Sequence, residues 1–294
     1  MRELVLIHGR SQQDKDAAAL KREWIAAFVD GLEKSNLPLP IPETAIHFPY
    51  YGDTLVGLVN GLPPDQVAEI IVKGASANDE ERAFTLAVVR EIGQEVGLTD
   101  AQIAEIAGDE MIQKGPLNWG WVRAILSGID RHVPLGSGTA IALFTKDVYH
   151  YLRNPGIRDR IEEGVRKAIR MTPTVVVAHS LGSVVGYNLL RREGTTNGWQ
   201  VPVFMTVGCP LAVSAIRKVL APNKHPQCVG HWFNAMDNRD IVALYPLDAE
   251  HAWEIDPAIE NKTDLKNPTP NRHGISGYLS DPVVARRIYE ALLP

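Results

Sequence analysis

The chain has 294 residues, 45% of them hydrophobic, enough for one large α/β domain or for a core with an insertion. Its 35 acidic and 30 basic side chains leave a net charge of −5, which offers no basic field to nucleic acid or to an anionic membrane surface. Two cysteines, Cys209 and Cys228, are too few for a disulfide scaffold or a Cys-based zinc site, and no stretch approaches the ~18 apolar residues of a membrane span. Residues 4–7 are too short for a signal h-region and no small-residue cleavage site follows, so a soluble cytoplasmic protein without stable membrane insertion is expected.

In chain order, residues 4–7 read as a buried strand ending in His8-Gly9-Arg10, and Leu20, Trp24, Phe28 and Leu32 follow at helical spacing. Residues 45–48 read as a short second strand after the Pro-rich connection 37–42, leading into the aromatic turn Pro49-Tyr50-Tyr51-Gly52-Asp53. From 54 to 150 the alternation of strand and helix stops. That block reads as helices over 65–73, 79–96, 100–106, 119–129 and 140–152, with capping boxes at Thr99/Gln102 and Asn78/Glu81. A helical insertion at 54–150, in a core formed by 1–53 and 151–294, is the simplest account. Gly136-Ser137-Gly138 follows no strand and has Ile141 where a dinucleotide fingerprint needs glycine, so it reads as a hinge or loop.

Alternation then resumes. Residues 157–169 read as an amphipathic helix, 174–177 as a strand, 184–190 as a helix, 203–207 as a strand and 212–220 as a helix. A strand at 230–235, a weak last strand at 253–255 and a final helix at 282–292 complete the chain. The pattern predicts an α/β fold, a mostly parallel sheet with helices on both faces.

The chemistry concentrates in Val175-Val176-Val177-Ala178-His179-Ser180-Leu181-Gly182-Ser183-Val184. A β-branched run enters a serine flanked two positions away by Ala178 and Gly182, and an apolar helical segment follows at once. Such a strand-to-helix turn strains the serine backbone, and larger side chains at the flanking positions would strike the neighbouring strand and helix. Ser180 Oγ would project into a cleft, with the Leu181 N–H at the helix start aimed at the same spot.

Serine needs a general base, and the base needs an orienting acid. In the order Ser, acid, His, the acid should follow a strand after the serine, and Asn234 to Asp240 meets that demand. Asp240, just before the apolar Ile241-Val242, is favoured over Asp237, which suits a turn cap; Asp248 and Asp256 are lesser candidates. For the base, His273 lies in a polar loop before the last helix and is preferred to His251. His225 and His231 precede the acid. A second oxyanion donor is expected after the first strand, from the Arg10 N–H with Gly9 next, because His8-Gly9 permits close backbone approach. No H-E-x-x-H or comparable ligand cluster occurs, and no metal or cofactor is expected.

His8-Gly9, Ala178-His179-Ser180-Leu181-Gly182, the 234–240 loop and His273 together resemble the α/β-hydrolase superfamily, more narrowly its serine esterase and lipase-like members. The resemblance covers about residues 1–50 and 157–294. It implies a serine hydrolase that cleaves a small-molecule carboxylic ester through a Ser180-His273-Asp240 triad. The family usually has Gly where this chain has Ala178, a departure also seen in some small bacterial lipases. Insertions in this architecture commonly sit over the cleft as a cap, which makes Tyr50, Tyr51, Leu55, Trp119, Trp121 and Phe144 candidates to line a substrate pocket. His179, its ring expected to point away from the base, joins them. The helical block matches no particular lid, so no particular substrate is implied. The alternatives are a catalytically silent fold serving as a ligand receptor or interaction module, against which the intact Ser, Asp and His weigh, and the same triad acting on thioesters or amides.

Overall fold

In the computed structural model, which describes residues 1–9, 16–52, 79–108, 119–133 and 138–294, the chain opens with β1 (Glu3–Ile7) and α1 (Ala17–Glu33). A 3-10 turn at Glu43–Ala45 leads into the short β2 (Ile46–His47). The middle block supplies α2 (Asp79–Glu95), α3 (Asp100–Ala107), α4 (Trp119–His132) and α5 (Gly138–Arg153). Then come α6 (Pro155–Ala168), β3 (Thr174–His179), α7 (Leu181–Glu193), β4 (Val201–Val207) and α8 (Ser214–Leu220). The chain closes with β5 (Val229–Ala235), β6 (Glu260–Lys262), α9 (Ile275–Leu279) and α10 (Pro282–Leu292). The helix expected at 65–73, with Asp53, Leu55, Asn78, Gly136 and Ser137, lies outside the described residues.

The described strands form one sheet in the order β2-β1-β3-β4-β5-β6, with every neighbouring pair parallel. Side chains alternate between its faces, as a strand requires. Leu4, Leu6, Val175 and Val177 point into an apolar layer with Trp24 and Phe28 of α1 and Val284 and Ile288 of α10. Val5, Ile7, Val176 and Ala178 point the other way, toward α6, α7 and α8. Both faces are covered, which is why β1 and β3 read as continuous apolar runs.

The second layer does not stop at the core helices. Phe84, Val88 and Ile92 of α2, Ile125 and Ile129 of α4, and Val148 and Tyr151 of α5 belong to the same continuous apolar cluster as the sheet. At its edge, Glu162 of α6 is fully buried and accepts from Tyr151 Oη at 2.7 Å and from Arg192 Nη1 at 3.0 Å, with Asn188 Nδ2 3.4 Å away. This carboxylate ties α5, α6 and α7 together, so its charge is compensated where an isolated one would be very costly. The Thr99/Gln102 capping box is formed at α3, and Asp16, Asn154 and Asp281 cap α1, α6 and α10 through their side chains.

Two features differ from the sequence reading. The last strand is not at 253–255 but at Glu260–Lys262, where backbone pairing with Phe233, Asn234 and Ala235 creates it. Trp253 is buried instead in an aromatic cluster with its ring 5.3 Å from Tyr187 and 5.8 Å from Trp232. The polar loop expected before the last helix contains α9, which at five residues is too short to display a helical period.

Candidate active site

β2 lies to one side of β1 and β3 to the other, so the strand order reverses between β1 and β3. In open parallel sheets the carboxyl ends of the strands at such a reversal form a natural crevice. Gly9 and Ser180 both stand there. Ile7 pairs with Ala178, which brings the residues that follow each strand side by side.

Ser180 caps α7 with φ 57° and ψ −128°, a left-handed conformation that costs a non-glycine residue on the order of 1–3 kcal/mol. Its surroundings enforce that bend. A methyl on Gly182 would stand 2.6 Å from the carbonyl oxygen of His8 and would also collide with that of Ile7. One on Gly9 would lie 2.7 Å from Ser180 Cβ and 3.3 Å from Ser180 Oγ. Ala178 differs, because its methyl fits into the apolar layer of the sheet.

The three residues named from their order in the chain meet in space. His273 Nε2 is 2.9 Å from Ser180 Oγ, and His273 Nδ1 is 2.7 Å from Asp240 Oδ2. The other oxygen of Asp240, Oδ1, accepts from the Val242 N–H at 2.9 Å. Burial alone would raise the Asp240 pKa, but His273 and the hydrogen bonds outweigh it and hold the carboxyl below its ordinary value. Asp237 takes a different position: Oδ1 accepts from the Arg239 N–H at 2.8 Å and Oδ2 from the Asn267 N–H at 2.7 Å, joining the acid loop to the loop that carries His273. His251 pairs with Asp248 at 2.7 Å.

Leu181 begins α7, where an amide N–H has no intrahelical acceptor and sits at the positive end of the helix dipole. Arg10 lies outside the described residues, whereas Gly9 is within them. The buried His8 braces Gly9: its Nδ1 is 2.7 Å from the Gly9 carbonyl oxygen, and its Nε2 accepts from the Tyr51 N–H at 3.1 Å.

The expected pocket residues divide. Tyr51 is buried, stacks on His8 with ring centroids 3.9 Å apart, and donates its hydroxyl to the His8 carbonyl; Tyr50 places its ring 5.5 Å from the same imidazole. These two residues brace the end of β1. His179 does not turn away from the base: its ring is 4.6 Å from that of His273, and its Nε2–H donates to the His273 carbonyl at 2.8 Å. Burial, with a further push from His273, lowers its pKa to about 3, so it stays neutral. Trp119 is buried and Trp121 half-buried in the apolar cluster around α4, as is Phe144 of α5. Among the described residues neither indole makes a ring contact or hydrogen bond with the Ser180 group.

The sequence reading missed Tyr278 of α9, whose hydroxyl donates to Asp240 Oδ2 at 2.6 Å. It also missed a cavity of about 400 Å³ beside Asp240, lined among others by Val96, Val133, Ile241, Leu244, Arg239 and Arg272. Neither carries a local motif. Among the described residues no group of three or more His, Cys, Asp or Glu could hold a metal ion, and no helix is long and apolar enough to cross a membrane. Comparison of the sequence with known protein families and with curated proteins gave no match to either.

Proposed function

We propose that the protein is a serine hydrolase of the α/β-hydrolase type that cleaves a carboxylic ester through an acyl-enzyme. One observation carries this reading: Ser180 Oγ, His273 and Asp240 form an unbroken hydrogen-bonded line at the carboxyl edge of the sheet. Ser180 Oγ attacks the ester carbonyl carbon while its proton passes to His273 Nε2. The bond from that carbon to the alcohol oxygen then breaks, and the proton moves from Nε2 to the departing oxygen. Water repeats the sequence, losing a proton to His273 as it attacks the acyl carbon; the proton returns to Ser180 Oγ as the carboxylic acid leaves.

Asp240, kept ionised, accepts from Nδ1–H and so favours the tautomer whose Nε2 lone pair faces the serine. The Leu181 N–H is one donor to the oxyanion, and the Arg10 N–H, with that of Gly9 next, is the other. In this reading residues 54–150 are a helical cap.

A panel of p-nitrophenyl esters tests the proposal. Release of nitrophenol is expected from the native chain, with Ser180→Ala slower by a factor of at least about 10³. Equal rates for the two proteins would refute it.

A further inference from the structure

Asp240 has a partner beyond the serine motif. Tyr278 is fully buried on α9, and its hydroxyl reaches Oδ2 at 2.6 Å, the oxygen that also accepts from His273 Nδ1 at 2.7 Å. We propose that Tyr278 is a positioning residue that acts through Asp240, dividing the charge of Oδ2 with His273 and so setting how firmly the imidazole is held and protonated. The inference rests on the esterase reading of the Ser180 site.

The hydroxyl has a fixed direction. Its oxygen accepts from the Asp237 N–H at 3.3 Å, on the loop of the acid itself, which directs its own proton to Asp240. With the Val242 N–H on Oδ1, three donors hold both oxygens, and the carboxylate cannot rotate without breaking one of them. Burial, and then Asp240, raise the phenol far above its ordinary pKa, so it remains a donor. Removing it would leave the carboxylate charge less dispersed and better able to stabilise an imidazolium.

The other groups facing this set are unchanged by such a substitution. They are the neutral His179, the buried Cys209, Asp237 with Arg272 3.9 Å away, and Arg239, Glu95 and His132 around the cavity.

Tyr278→Phe tests the inference, with rates normalised to serines titrated by a fluorophosphonate. A roughly three- to tenfold fall in kcat is expected with KM unchanged. The acid limb of kcat/KM should move up by a few tenths of a unit to about one unit. Incorporation of 3-fluorotyrosine at 278, a stronger donor of the same shape, should move that limb down. Opposite shifts support the inference. An unmoved limb in both proteins, or a shift of one sign in both, overturns it while leaving the esterase reading intact. A native chain with no titratable serine overturns both.

Discussion

Individual side chains at this site are held by contacts that leave little slack. Gly182 sits under the carbonyls of Ile7 and His8, so Gly182→Ala must displace either β1 or the start of α7. A loss of about 3 kcal/mol is expected, read as a fall in Tm of roughly 5 °C or more. An unchanged Tm would show that the two elements are not in tight contact. His8 and His179 carry a pH prediction. Burial lowers His8 to about 4, and burial together with His273 lowers His179 to about 3, whereas an imidazole exposed to water titrates at 6.5. Folded values below unfolded ones mean that the unfolded chain binds more protons between pH 4 and 6.5, so stability falls as pH drops through that window. From pH 7 to 5 each ring should remove about 2 kcal/mol. Urea melts at the two values check this, and His8→Gln should flatten the slope. Equal unfolding free energies at pH 7 and 5 would contradict it.

Elements matter where one of them fixes the serine turn. α7 begins at the turn, and its far side is tied to α5 and α6 through Glu162. Glu162→Leu leaves the Tyr151 hydroxyl and the Asn188 amide without this acceptor and Arg192 without its buried partner, at a cost of about 3 kcal/mol. Denaturant melts should show that loss, while turnover per titrated serine stays at the native level. Native-like stability would mean that water replaces the carboxylate. The sequence showed elements in proportion to their apolar periodicity. Val175 to Val177 and the 282–292 helix declare themselves because both bury regular apolar positions. β6 does not, because Glu260, Asn261 and Lys262 are half-buried polar residues made into a strand by pairing with β5. Trp253-Glu254-Ile255 resembled a strand because Trp253 is core, although its burial comes from an aromatic cluster rather than a ladder.

At the scale of the whole molecule, residues far apart in the chain converge because a parallel sheet brings all its carboxyl ends to one edge. Gly9, Ser180 and Asp240 follow β1, β3 and β5, and His273 arrives on the loop before α9. That order was legible, since Ser180 and Asp240 each lie just past a strand and His273 comes after both in the chain. The supports were not: Tyr278, the His179 contact with the His273 carbonyl, and the Asp237 tie to Asn267 are tertiary meetings with no local pattern. Whether Ser180 is an activated nucleophile is read by mass spectrometry after reaction with a fluorophosphonate. One adduct is expected on the peptide carrying Ser180, formed by the native chain and lost in both Ser180→Ala and His273→Ala. No adduct, or one on another residue, would contradict it.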